Sequence, residues 1–325
     1  MMKRMLLFAF LALALFFARA DESDYVLTLD VPEDADFSIL QLTDTHLSAF
    51  GNMDRHLKFI AGTVEAARPD LIVLTGDMFE MASRKTADRL FSLIDRFGIP
   101  WTYIFGNHDE GGLLTAGAIL DSLKANSQNC LFRNVPDDVY GDSNFAIHLN
   151  RNGVLFRQLL FMDSNRYQLS EYVGYDYVKP DQIDWYARMV DYARGLAGGR
   201  LVPSVLFLHI PLPEWMDAWR AVLRGDRDAQ LISGALRETI SAPTVNSGLF
   251  DRILEKGATD AVCAGHDHMN DFVIRYKGVY LAYGVHSAAL SYHLDDLLGG
   301  RLITIRADNS LAFESILRRA EEENG

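Results

Sequence analysis

A chain of 325 residues, 49% hydrophobic and 23% charged, falls outside the disordered and collagen-like classes and is long enough to bury a sizeable core. Its formal net charge of −13 argues against nucleic-acid partners and against polybasic docking to a membrane surface. Two cysteines, Cys130 and Cys263, are too few for a disulfide-dense scaffold. Cys263 sits in the apolar run TDAVCAG, where a buried thiol is expected, while a single bridge between the two stays open.

The first 20 residues read as a basic start (Lys3, Arg4), an apolar stretch from Met5 to Ala18 and an Ala-Arg-Ala ending. That pattern predicts a signal peptide removed after Ala20 and an extracytoplasmic mature chain, periplasmic or secreted, with no stable membrane association. From Phe37 short apolar runs alternate with amphipathic stretches: strand FSILQLTD, helix DRHLKFIAGTVEAAR stopped by Pro69, strand DLIVLTGD, helix KTADRLFSLIDRFG, strand PWTYIFGNHD. Strands apolar throughout imply burial on both faces.

After a helix near 113–125 come three closely spaced strand candidates, NCLFRNV, SNFAIHLN and VLFRQLLFMDS, the last two joined by an Asn-Gly turn signal. A long helix begins at Pro180 and Asp181 and stops at Gly198-Gly199; VPSVLFLHIP, the helix GLFDRILEKG, TDAVCAGHDH and a final set of strands follow. No repeat or low-complexity linker divides the chain. The expectation is one domain over 21–325, with the irregular stretch 212–247 as a cap-like insertion.

In five places a hydrophobic strand runs out into metal-ligand residue types: TDTH (Asp44, His46), TGD (Asp77), GNHD (Asn107, His108, Asp109), LHIP (His209) and GHDH (His266, Asp267, His268). Loops at the carboxyl ends of strands in α/β sheets share one edge, so these five can converge. Carboxylate, amide and imidazole donors without thiolates suit Fe, Zn or Mn rather than a structural zinc site. Seven such donors are too many for one ion. Two ions about 3.5 to 4 Å apart, bridged by one carboxylate, would use them and would clamp an in-line displacement at phosphorus.

This ordered set, D-x-H at 44–46, G-D at 76–77, G-N-H-D at 106–109, a lone His209 and G-H-D-H at 265–268, resembles the calcineurin-like metallophosphoesterase superfamily over nearly all of the mature chain. The phrases YVKPDQIDWY, HIPLPEW, VNSGLFDRIL and GHDHMNDF are similar to its single-domain purple acid phosphatase-like branch. The resemblance implies a four-layer α/β sandwich of two mixed β-sheets flanked by α-helices. It implies Asp44, His46 and His268 on a first metal, Asn107, His209 and His266 on a second, and Asp77 bridging them. True purple acid phosphatases carry a Tyr iron ligand three residues after the bridging Asp. Glu80 stands there, so no ferric-tyrosinate colour is expected.

The activity expected is hydrolysis of a small-molecule phosphate monoester by a metal-bound hydroxide. A phosphodiesterase or nucleotide pyrophosphohydrolase would share every ligand, and a metal-binding protein without turnover is the rival from another class. His108, with Asn107 at the substrate, is the residue expected to protonate the leaving group, oriented by Asp109. Asp267 is open between a role behind the ligands and a solvated turn, Glu80, Glu214 and Trp215 between pocket wall and packing, and His286 and His293 between rim and surface. His56 and His148 fall away from the motifs.

Overall fold

The computed structural model describes residues 20–50, 52–111, 114–135, 138–168 and 174–319; the signal-peptide segment, but for Ala20, lies outside them. In chain order the strands are β1 (Val26–Asp30), β2 (Phe37–Leu42), β3 (Leu71–Thr75), β4 (Trp101–Ile104), β5 (Phe145–Arg151), β6 (Val154–Phe161), β7 (Tyr167–Gln168), β8 (Gly174–Tyr175), β9 (Ser204–Phe207), β10 (Ala229–Ser233), β11 (Thr259–Ala264), β12 (Val273–Tyr276), β13 (Val279–Tyr283), β14 (Gly299–Ile305) and β15 (Leu311–Leu317). The helices are α1 (Met53–Ala67), α2 (Arg84–Asp95), α3 (Ala116–Asn126), α4 (Pro180–Leu196), α5 (Glu214–Arg224) and α6 (Leu249–Lys256).

Two mixed sheets form the body: a larger one in the order β1-β5-β6-β9-β11-β13-β12-β10 and a smaller one in the order β15-β14-β2-β3-β4; β7 and β8 make a separate ribbon. The run IVL in β3 shows why the central strands are apolar throughout. Ile72 and Leu74 pack with Ile60, Leu90 and Phe91 of α1 and α2, while Leu71 and Val73 face a second core shared with Phe161, Val205, Phe207 and Cys263 of the larger sheet. On the far side Leu206 and Val262 pack with Trp185, Trp215 and Phe250 of α4, α5 and α6. Helices, sheet, sheet and helices thus form the four expected layers, each sheet buried on both faces.

Three local readings change, and the open question of the cysteines is decided. Residues 129–135 make only a bridge between Cys130 and Trp101, because the Asp95 carboxylate accepts the amides of Gln128 and Asn129 and turns the chain there. Residues 26–30, unread as a strand, pair in parallel with β5. The stretch 212–247 is not irregular at its core: α5 buries Trp215, Ala218 and Ala221 and packs on β12 and β10, which itself extends the larger sheet. Both cysteines are free thiols, Cys263 buried between the sheets and Cys130 half-buried beside Trp101. Among the described residues no helix is long and apolar enough to cross a membrane.

Candidate metal centre

Parallel pairing of β2 with β3 and β4, and of β6 with β9, β11 and β13, sends their carboxyl ends to a common edge. There the sheets are stapled together. Gln41 donates to the Ala264 carbonyl at 3.1 Å, Thr43 N–H to Ser287 Oγ at 3.0 Å, and His266 N–H to both Asp44 oxygens at 3.0 and 3.2 Å. Four residues of the expected ligand set hold left-handed backbone: Asp44 (φ 56°), His46 (45°), Asp77 (50°) and His266 (76°). Such conformations cost roughly 1–3 kcal/mol each and survive only where surrounding bonds dictate them. Here Asp44 N–H donates to the Gly76 carbonyl and His46 N–H to that of Asp77, at 3.1 and 3.0 Å. Gly106 is glycine because of close approach: a Cβ there would stand 2.2 Å from the Asp77 nitrogen.

The geometry gathers the expected residues into two buried clusters, Asp44 with His46 and His268, and Asp77 with His209 and His266, the ligand atoms within each lying within 4.8 Å of one another. Asp77 Oδ2 stands 3.1 Å from His209 Nε2 and 4.0 Å from His46 Nε2, so it reaches both. The donor set fits metal ions on several counts. The Nε2 atoms of His46 and His268 converge to 3.1 Å, two imidazoles aimed at one point. Asn107 Oδ1 and both ring nitrogens of buried His266 have no hydrogen-bond partner, an arrangement that is costly unless something else is bound.

Partners behind the ligands set their orientation. His209 Nδ1 donates to the Thr75 carbonyl at 2.8 Å and His268 Nδ1 to that of Tyr292 at 2.9 Å, which leaves each Nε2 as the free donor atom. Burial works against charge on Asp44, yet His268, His209 and His46 hold its carboxyl well below the ordinary range; Asp77 is lowered in the same way by His209. Burial holds His46 below its usual value and His266 down at about 3. These are the deprotonated states in which carboxylate and imidazole bind metal. His209 and His268 differ: burial opposes their charge, but the Asp77 carboxylate pushes His209 up to about 10 and Asp44 raises His268 above its usual value. A metal taking either site would release its proton.

His108 lies at the mouth of the centre with its side chain 38% exposed. Its backbone N–H donates to Asp77 Oδ1 at 2.7 Å, and its Nε2 lies 3.1 Å from the Tyr167 hydroxyl. Asp109 does not orient it. That buried carboxylate accepts from the amides of Gly106, Asp77 and Phe79 at 2.7 to 3.0 Å, bracing the turn that carries Asp77. The carboxylate near His108 is Glu80, with Oε1 3.8 Å from His108 Nδ1 and Oε2 3.2 Å from His46 Nδ1, the latter at ion-pair distance but outside hydrogen-bond geometry.

The remaining residues sort by contact. Asp267 accepts from Tyr283, Asn270 and the Ser241 amide, tying residues 239–241 to the GHDH turn. Trp215 is core, edge-on to Tyr283, and Glu214 accepts from Asn246, so neither walls the site. His286 stacks on His268 at 4.3 Å and is buried behind it rather than at a rim; His293 stacks beyond it at 6.1 Å. His148 is buried against Gln158 on the far part of the larger sheet. Three tyrosines at the site are not legible in the sequence: Tyr292, stacked on His268 at 4.1 Å, Tyr167 and Tyr175. Tyr175 stands edge-on to His266 at 4.4 Å. The nearest signal, for Tyr167, is a sixth strand end, FMDSNRY after β6, which ends on tyrosine rather than on a residue of the metal-ligand pattern.

A two-sheet sandwich with paired His and carboxylate clusters at its carboxyl edge defines the metal-dependent phosphoesterase class. The chain belongs to the calcineurin-like phosphoesterase family, whose model matches residues 37–270. It is 29% identical over 297 residues to "Probable inactive purple acid phosphatase 29" of Arabidopsis thaliana, covering 79% of this chain and 72% of that protein. It is 28% identical over 293 residues to "Phosphatase DCR2" of Saccharomyces cerevisiae, covering 79% of this chain and 49% of that one. The crystal structure of a dimetal phosphatase from Danio rerio shares the fold, with a TM-score of 0.52 at 13% identity over 87% of this chain and all of that one.

Proposed function

We propose that the chain hydrolyses phosphate monoesters with two metal ions, one held by Asp44, His46 and His268, the other by Asn107, His209 and His266, with Asp77 between them. The observation that carries this reading is a partly exposed His108 beside two buried, convergent ligand clusters. Bound there, the ions supply Lewis-acid polarisation of phosphoryl oxygens and an activated water. The chain's own groups do the rest. Buried Asp44 and Asp77 draw and fix positive charge, and the His108 backbone bond to Asp77 keeps its ring at the edge of the phosphoryl site. His108 Nε2 then delivers a proton to the departing ester oxygen. The alcohol portion fits a cleft of about 550 Å³ next to Tyr167, walled by Tyr140, Asp142, Asp163, Asn165 and Arg166.

Protein purified with its metals, and assayed over Mn, Fe, Zn and Co, is expected to cleave aryl monophosphates faster than aryl phosphodiesters. The reverse preference would make it a phosphodiesterase. No cleavage of either, with two ions bound, would make it a metal-binding protein without turnover, in line with the word "inactive" in the name of its Arabidopsis relative. Replacing His108 with Ala is expected to lower turnover by about 10²- to 10⁴-fold while leaving metal near two ions per chain. Metal loss in that variant would show that ligand and acid have been wrongly divided. The reading also places the mature chain outside the cytoplasm on the pattern of residues 1–20. N-terminal sequencing should then begin at Asp21, and an intact, unexported chain would refute it.

A further inference from the structure

The amide of Asn107 presents a problem that the metal ligands around it do not solve. Only its Oδ1 can bind a cation, yet the two ends of an amide are nearly alike in shape, and a half-turn would aim the NH₂ donor at the ion. Asn107 is buried, and Oδ1 has no hydrogen-bond partner. The one hydrogen bond that its side chain makes among the described residues is from Nδ2 to the Tyr167 hydroxyl, at 2.7 Å. The same oxygen, accepting from Asn107, lies 3.1 Å from His108 Nε2.

Tyr167 is itself held in place. It begins β7 and pairs with Tyr175 across the ribbon, the two rings 5.7 Å apart. Tyr175 in turn rests edge-on against His266, a member of the same cluster as His209. The ribbon therefore touches the second metal cluster at two residues, and at Asn107 it touches the only neutral oxygen donor in the set.

We propose that Tyr167 is a positioning residue for the second metal ion: its hydroxyl locks the Asn107 amide with Nδ2 turned away and Oδ1 left for the ion. The proposal rests on the metal-centre reading above, because it takes Asn107 as a ligand. An outer partner of this kind is worth about 10- to 100-fold in metal affinity.

The test compares Tyr167→Phe in two backgrounds, the natural chain and Asn107→Asp, reading metal per chain after dialysis against graded chelator. Tyr167 is 46% exposed, so loss of one hydroxyl leaves the fold intact. In the natural background Tyr167→Phe is expected to weaken retention of the second ion about tenfold, with the first unchanged. In the Asn107→Asp background it should cost less than about threefold, because both ends of a carboxylate are oxygens and no flip can go wrong. Equal losses in both backgrounds would show a packing role and overturn the proposal, as would no loss in the natural one. No substrate enters this measurement. An unaltered chain that binds two ions and cleaves nothing defeats the esterase reading alone, whereas one that never binds a second ion defeats both.

Discussion

Asp163 is buried where the chain leaves β6, and its carboxylate accepts the amides of Asp142 and Asn165 at 2.8 and 2.9 Å. Burial outweighs those two bonds and pushes it up to about 6. The folded chain therefore keeps a proton there that the unfolded chain, titrating near ~3.9, gives up earlier. A raised folded value contributes stability in full below about pH 4, lost as pH rises to about 6. The unfolding free energy of the natural chain, read from urea denaturation, is thus expected to fall relative to Asp163→Asn between pH 4 and 6, by roughly 3 kcal/mol at most. A gap between the two that stays constant with pH would refute this. At the same scale, the expected ligand residues are legible because each ends an apolar strand, while the carboxylate that faces His108 is not. Sequence adjacency favours Asp109, but the tight turn at Gly106 aims that carboxylate at backbone amides, and Glu80 arrives from another loop.

At the scale of elements, α4 shows how a helix start is tied to the site. Its Gln182 accepts from the Lys179 amide and Asn165 Nδ2 at 2.8 and 3.1 Å, and donates to Asn144 Oδ1 and the Asp163 carbonyl at 3.1 and 2.6 Å. Being fully buried, it cannot be replaced there by water. Gln182→Ala is expected to lower unfolding free energy by about 2–4 kcal/mol through unsatisfied buried groups and lost packing, measured by urea denaturation with unchanged m. A loss within experimental error would mean that the loop leading to Tyr167 is held by other contacts. Apolar residues at 3.6-residue spacing make α1, α2, α4 and α6 readable in the amino-acid sequence. The same spacing is present in α5, at Trp215, Ala218 and Ala221, with proline before it and glycine after it as boundary signals, so this helix too is legible in the sequence. β10 carries no alternation to read, since as an edge strand it exposes Leu231 and Ile232.

For the whole molecule, the consequence of the centre is mechanical as well as chemical. Asp44, His46, Asp77 and Asn107 follow strands of the smaller sheet, while His209, His266 and His268 follow strands of the larger. Ions held between them cross-link the two halves of the sandwich. Binding at 100-fold over Kd stabilises by about 2.7 kcal/mol per ion, and a chain of this size shifts about 2–4 °C per kcal/mol. Chelation of both ions is therefore expected to lower the calorimetric Tm by roughly 10–20 °C, about half of that for loss of one ion alone, and an unchanged Tm would sink the cross-link. The amino-acid sequence by itself determined that the central strands are buried on both faces, through runs apolar throughout, and which polar residues end them, while the four layers followed from the family resemblance; all depend on order along the chain. Which carboxylate faces His108, which hydroxyl meets Asn107, and that 229–233 extend the larger sheet with the helix 214–224 packed on it were decided only by the tertiary structure, because each joins residues from separate loops or strands whose meeting depends on how the chain packs.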